Sequence, residues 1–142
     1  MLFRSFNEDA AAFSPDGRWI AYSSNESGQF QVDVQPFPPT GGKYQVSKNG
    51  GTQPMWRGDG KELFFLAPDL SLMAVDIASG PAFRAGSARR LSQTQAVAPS
   101  GLTGQMAYDV TSDGQRFLVK VPASFSPITV VVNWTALLQK RH

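Results

Sequence analysis

Phe13-Ser14-Pro15-Asp16-Gly17-Arg18-Trp19-Ile20-Ala21-Tyr22-Ser23 reads as a tight turn running into a strand. Pro15 presets φ for the first central position, Asp16 has a short carboxylate within reach of nearby main-chain N–H groups, and Gly17 accepts the positive φ that closes the turn. The stretch recurs twice, as Trp56-Arg57-Gly58-Asp59-Gly60-Lys61-Glu62-Leu63-Phe64-Phe65-Leu66 and as Val110-Thr111-Ser112-Asp113-Gly114-Gln115-Arg116-Phe117-Leu118-Val119-Lys120. Each copy has a large apolar residue three before the Asp and an apolar pair four and six after it: Ile20/Tyr22, Leu63/Phe65 and Phe117/Val119. Asp59 follows Asp16 by 43 residues, and Asp113 follows Asp59 by 54. Val32-Asp33-Val34 recurs as Val75-Asp76-Ile77, again 43 residues on, so two features share one period. A stretch rich in Pro, Gly, Ser and Thr around Ala98 to Gly104 accounts for the longer second interval.

The chain has 13 Gly and 10 Pro between short runs of Val, Ile, Phe, Tyr and Trp, a pattern of many short strands. A period of about 40–45 residues holding four strands is that of a β-propeller blade. Strand a of each unit ends at Phe13, Trp56 or Val110, and the Asp-Gly turn follows. Strand b is predicted at 18–24, 61–67 and 115–121, strand c at 29–36, 70–77 and 127–134, and strand d at 43–48 and 88–93. Leu63-Phe64-Phe65-Leu66 is apolar on both faces, which suits a strand packed between two neighbouring blades. One or two weak helical turns are predicted only at Thr135 to Lys140. The expected fold class is all-β: about three four-stranded antiparallel blades, a partial propeller in a single domain over 1–142. Blade 1 is expected at about 8–48, blade 2 at about 52–93 and blade 3 at about 105–134, with residues 1–6 as a spare outer strand.

The Phe13-Ser14-Pro15-Asp16-Gly17 turn and its following strand resemble the TolB-like, WD-type β-propeller repeat. The resemblance spans about residues 8 to 134. It is partial at Trp56-Arg57-Gly58-Asp59-Gly60, where Ser-Pro is replaced, and weaker at Val110-Thr111-Ser112-Asp113-Gly114. Val34-Gln35-Pro36-Phe37-Pro38, Gly50-Gly51-Thr52-Gln53-Pro54 and Ile128-Thr129-Val130-Val131-Val132-Asn133-Trp134 look like the C-terminal propeller region of bacterial serine/threonine protein kinases. That resemblance implies a sensing or interaction module; no kinase motif is present to imply kinase activity.

Nothing after Trp134 reads as a fourth strand for the third unit, whereas the N-terminus has one to spare. Phe3 precedes Asp16 by 13 residues, as Val46 in strand d precedes Asp59, so Leu2 to Phe6 holds a strand-d register. Rings have about 4–8 blades, and two copies would supply six. One expectation is therefore a head-to-tail homodimer closing a six-bladed ring, each N-terminus completing the other's last blade and removing an open edge. The alternative is a fragment whose missing blades lie upstream in a longer protein.

Composition narrows the chemistry. The chain has 142 residues, no Cys, and a single His at position 142, so thiol chemistry, Cys-ligated zinc and a Ser/His/Asp triad are not expected. No nucleophile elbow, phosphate loop, EF-hand or zinc spacing occurs. No catalytic residue, metal or cofactor is assigned. The net charge of +2 is spread apart from Arg89-Arg90 and Lys140-Arg141, which gives no nucleic-acid footprint. No apolar run approaches the length of a membrane span, and the start lacks the pattern of a secretion signal, so the chain as written is expected in the cytoplasm.

Candidate sites follow from blade geometry, since the b–c and d–a loops of a propeller share one face around the channel. That face would carry Asn25, Glu26, Asn49, Thr52, Gln53 and Gln105 as ligand-binding candidates; the plain alternative is ordinary polar turns. Asp16, Gly17, Asp59, Gly60, Asp113 and Gly114 are structural turn residues, and the Arg57-Gly58-Asp59 tripeptide falls in such a turn. Asn25-Glu26-Ser27 and Asn133-Trp134-Thr135 fit the N-glycosylation pattern, which a bacterial resemblance discounts. Trp19, Trp56 and Trp134 are expected in the core between blades. The leading functional expectation is a non-catalytic module for protein interaction or ligand sensing. Two alternatives stay open: a gating propeller of a prolyl-oligopeptidase-like serine hydrolase, and a metal-dependent propeller enzyme with Glu8, Asp9 and Glu26 holding Ca²⁺.

Overall fold

The computed structural model describes residues 8–78, 82–94, 96, 106–121 and 128–132, and among them there are strands and turns but no helix. The first sheet is β1 (Glu8–Phe13), β2 (Trp19–Ser24), β3 (Gln31–Pro36) and β4 (Tyr44–Gln45), in that order. The second is β5 (Thr52–Trp56), β6 (Glu62–Leu66) and β7 (Ser71–Ala78), with β8 (Arg84–Ala85) and β9 (Arg89–Gln93) both paired to β7. The third is β10 (Tyr108–Val110), β11 (Arg116–Lys120) and β12 (Ile128–Val132). Every pairing is antiparallel. Leu2 to Phe6, Gln105, Trp134 and the helical prediction at Thr135 to Lys140 lie outside the described residues.

The Asp-Gly turn is built the same way three times. Gly17, Gly60 and Gly114 take φ of 74°, 73° and 70°, and each donates its N–H three residues back, to Ser14, Arg57 and Thr111. The N–H groups of Arg18, Lys61 and Gln115 donate to Asp16, Asp59 and Asp113 at 2.9–3.0 Å. Ser14 and Thr111 add a hydroxyl bond to the turn carboxylate. In the second turn Arg57 takes that place.

Two cores separate the sheets. Leu63 and Phe65 of β6 pack with Trp19, Ala21, Val32 and Val34 of the first sheet, while Phe64 and Leu66 pack with Tyr108, Phe117 and Val119 of the third. The both-sided apolar run of β6 is thus explained by its place between two sheets. Phe64 and Phe117 meet edge to face with centroids 4.9 Å apart. Trp19 is buried, and Trp56 is half-buried with its indole N–H donating to Ala12 O at 3.0 Å, tying the second sheet to the first. The pairing of strand a also repeats: a register shift falls between Asp9 and Ala12, and again between Thr52 and Met55 at the equivalent positions.

Strand c departs from the repeat read in the sequence. Ala21 pairs with Val34, and its equivalent Phe64 pairs with Ala74. The hairpin of the second sheet is shorter, so Val32 and Val34 correspond to Leu72 and Ala74, and not to Val75 and Ile77. The shift is by an odd number of residues, which exchanges the two faces of a strand. Val32 and Val34 face the second sheet; Val75 and Ile77 point back at the first. Asp33 is buried and Asp76 exposed. Strand d differs too: only Tyr44–Gln45 pairs in the first sheet, and β8 and β9 divide that role in the second.

Candidate binding face

The loops joining b to c and d to a meet at one end of the sheets. Gln31, buried at the start of β3, organises the first of them. Its side-chain oxygen accepts the Gly50 N–H at 3.0 Å and the Ser47 hydroxyl, and that hydroxyl accepts the Val32 N–H at 2.8 Å. Gly51 N–H donates to Phe30 O at 2.9 Å. The linker from β4 to β5 is thereby pressed on the next sheet. A Cβ on Gly50 (φ 98°) would stand 2.6 Å from Pro68 Cγ, and one on Gly51 would stand 2.8 Å from the Phe65 ring. Only glycine permits this approach.

The turn after β6 supplies the facing wall. Leu70 takes φ of 69°, and the Ser71 N–H donates to Asp69 at 2.9 Å, holding that carboxyl below its usual range. Gln93 Nε2 donates to Asp69 O at 2.6 Å, and the Thr94 hydroxyl donates to Leu70 O at 2.6 Å. Linker, turn and outer strand enclose an open recess with Phe65 and Met73 on its walls and Lys48, Asn49 and Arg90 among its lining.

The residues singled out in the sequence do not form one cluster. Asn49 lines the recess. Asn25 and Glu26 lie on the loop after β2, where Glu26 pairs with Lys43. Thr52 sits in β5, paired with Leu66. Gln53 is buried with φ of 57°; its side-chain oxygen accepts the Ala107 N–H at 2.6 Å and its main-chain oxygen accepts the Tyr108 phenol at 2.7 Å. Gln53 therefore latches the second sheet to the third. Phe65, Met73 and Arg90 were not singled out as site residues; the signals were an apolar strand for Phe65 and one half of a basic pair for Arg90, and Met73 carried none of its own.

Several charged groups elsewhere are committed to structure. Arg57 holds Asp59 in a two-point pair at 2.8 and 2.9 Å, which lowers the Asp59 carboxyl, and Gly58 N–H donates to Ser112 O at 2.8 Å. The tripeptide is folded on itself against the third sheet. Buried Glu62 is shared by Arg57 and Arg89, and Arg89 also reaches Asp76 at 3.1 Å. The Asp33 carboxyl is pushed up to about 6 by burial, with Lys43 opposing and Glu26 reinforcing the shift. Among the described residues no group of three or more His, Cys, Asp or Glu converges as a metal site would.

No protein-family model and no curated protein sequence matches the chain. Solved structures do. TolB from Acinetobacter baumannii superposes with a TM-score of 0.66 at 15% identity over 87% of this chain. A TolB-type protein from Agrobacterium tumefaciens gives 0.54 at 14% over 75%. Oligogalacturonate lyase from Vibrio parahaemolyticus gives 0.52 at 13% over 82%. The fold is that of a TolB-like β-propeller. The chain spans 29%, 35% and 28% of those three proteins, so it corresponds to part of a ring.

Proposed function

We propose that this chain is a non-catalytic propeller scaffold for protein interaction or ligand sensing, and that a second copy completes its ring. The observation that carries ring completion is Leu118. It stands five residues beyond its turn aspartate, as Phe64 and Ala21 do, and those two are 0% exposed beneath the next sheet. Leu118 is 46% exposed, between exposed Arg116 and Lys120. A face that buries a neighbour in the first two sheets is open in the third. Among the described residues β12 pairs with β11, and the far side of β12 is where the Leu2 to Phe6 segment of a partner would add.

In the partner, the facing sheet would be the first, where Ile20 and Tyr22 hold the register of Leu63 and Phe65. These side chains are 1% and 6% exposed within one chain, so closure exchanges one cover for another and is expected to be slow. The scaffold reading is supported by the commitment of carboxylates to turns and ion pairs. The likeness of three sequence phrases to kinase propeller regions suggests the sensing part of a larger signalling protein.

Light scattering over a range of concentrations tests the reading. A particle of twice 15.4 kDa is expected, reverting to one chain with Leu118→Glu. A monomer at all concentrations overturns ring closure by a second copy and leaves the remaining blades to a longer polypeptide.

A further inference from the structure

The recess at the loop end has a volume of about 540 Å³, within the range of small-ligand sites. Its walls come from three segments: the linker at Lys48 to Gly50, the turn at Ala67 to Asp69, and the outer strand up to Arg90. The Phe65 ring is 2% exposed, and Met73, whose flexible thioether adapts to an apolar guest, is half-buried beside it. The walls are held before any ligand arrives, by Gln31 on the linker and by Gln93 and Thr94 on the turn. Preorganisation of that kind lowers the cost of binding.

The charge of the lining is uneven. Lys48 and Arg90 are exposed cations, and Lys48 has no ion pair among the described residues. Asp69 is the acidic residue of the lining, and its carboxylate already accepts the Ser71 N–H. The Ser71 N–H and Arg90 both favour the ionised Asp69 carboxylate, so Arg90 offsets that charge and Lys48 is the cation in excess that an entering anion meets. We propose that this recess binds a small organic anion with a flat apolar body, the body against Met73, beside the edge of the buried Phe65, and the carboxylate toward Lys48 and Arg90. The site is formed within one chain and does not depend on ring closure.

The probe is 2-naphthoate, with uncharged 2-naphthalenemethanol as its control, read by methyl resonances of ¹³C-labelled methionine. Met73 lies in this recess, whereas Met55 and Met106 line a separate one beside Ala12 and Trp56, so the methyl that moves reports the site. Met73→Leu assigns its signal. A saturable shift of the Met73 methyl with naphthoate is expected. The double variant Lys48→Ala/Arg90→Ala should weaken naphthoate about tenfold or more, leave the alcohol unchanged and keep the melting temperature. The proposal is overturned by a shift confined to Met55 or Met106, by no saturable shift at millimolar naphthoate, or by a double variant that binds naphthoate as before.

Discussion

The phenol of Tyr108 donates to the main-chain oxygen of Gln53 across the boundary between the second and third sheets, at 2.7 Å. The bond joins residues 55 positions apart in the chain and is fully buried. Tyr108→Phe leaves a carbonyl without that donor and should cost about 1–3 kcal/mol, measured by urea unfolding. Burial, with Asp109 adding to it, raises the Tyr108 pKa well above 10.0. The folded state therefore favours the neutral phenol, a contribution present below about pH 10 and lost as pH rises above it. The alkaline limb of the stability curve should flatten in the Phe variant.

Asp33 gives the opposite limb. Its carboxyl is raised from 3.8 to about 6, chiefly by burial, so the folded chain holds a proton that the unfolded chain releases earlier. Its contribution is full below pH 3.8 and declines as pH rises through 6. Asp33→Asn should raise the melting temperature at pH 7 and remove most of this residue's share of the slope between those values. An unchanged slope in calorimetry counts against the assignment.

Two glycines with positive φ should respond differently to the same change. Around Gly17 an added Cβ meets nothing within 4 Å, so Gly17→Ala pays for backbone conformation alone, about 1 kcal/mol. At Gly50 the Cβ would also strike Pro68 at 2.6 Å, and about 2–4 kcal/mol is expected. Equal losses in chemical denaturation would contradict the close packing of linker on turn.

Phe64 and Leu118 occupy equivalent positions on successive sheets but not equivalent surroundings. Phe64→Ala should cost about 3–5 kcal/mol, because it empties the core shared with Phe117. Leu118→Ala should change the stability of a single chain by no more than about 0.5 kcal/mol, as surface positions do. Denaturant midpoints at low protein concentration distinguish the two.

The architecture was legible because its marker is local. Each Asp-Gly turn is closed by residues within five positions of one another, and Leu63 to Leu66 announces a strand with sheets on both sides. The lengths of β4 and β8 were less legible, since pairing at a sheet edge is set by the neighbouring strand and not by propensity. Gln53 read as a polar loop residue because its partners Ala107 and Tyr108 lie 54 and 55 positions away. The recess is assembled from three separated segments, so Asn49 was visible in the sequence, while Phe65 read as core, Arg90 as half of a basic pair, and Met73 carried no signal of its own.

The shortened hairpin of the second sheet has a bearing on any attempt to idealise the repeat. Averaging the units in the alignment that their residues suggest would superimpose Val32 on Val75, an outgoing face on an incoming one. The resulting consensus would mix two opposite phases and specify neither surface. A designed array of these blades has to be phased on hydrogen-bonded partners such as Ala21 with Val34 and Phe64 with Ala74, with loop length treated as part of the code.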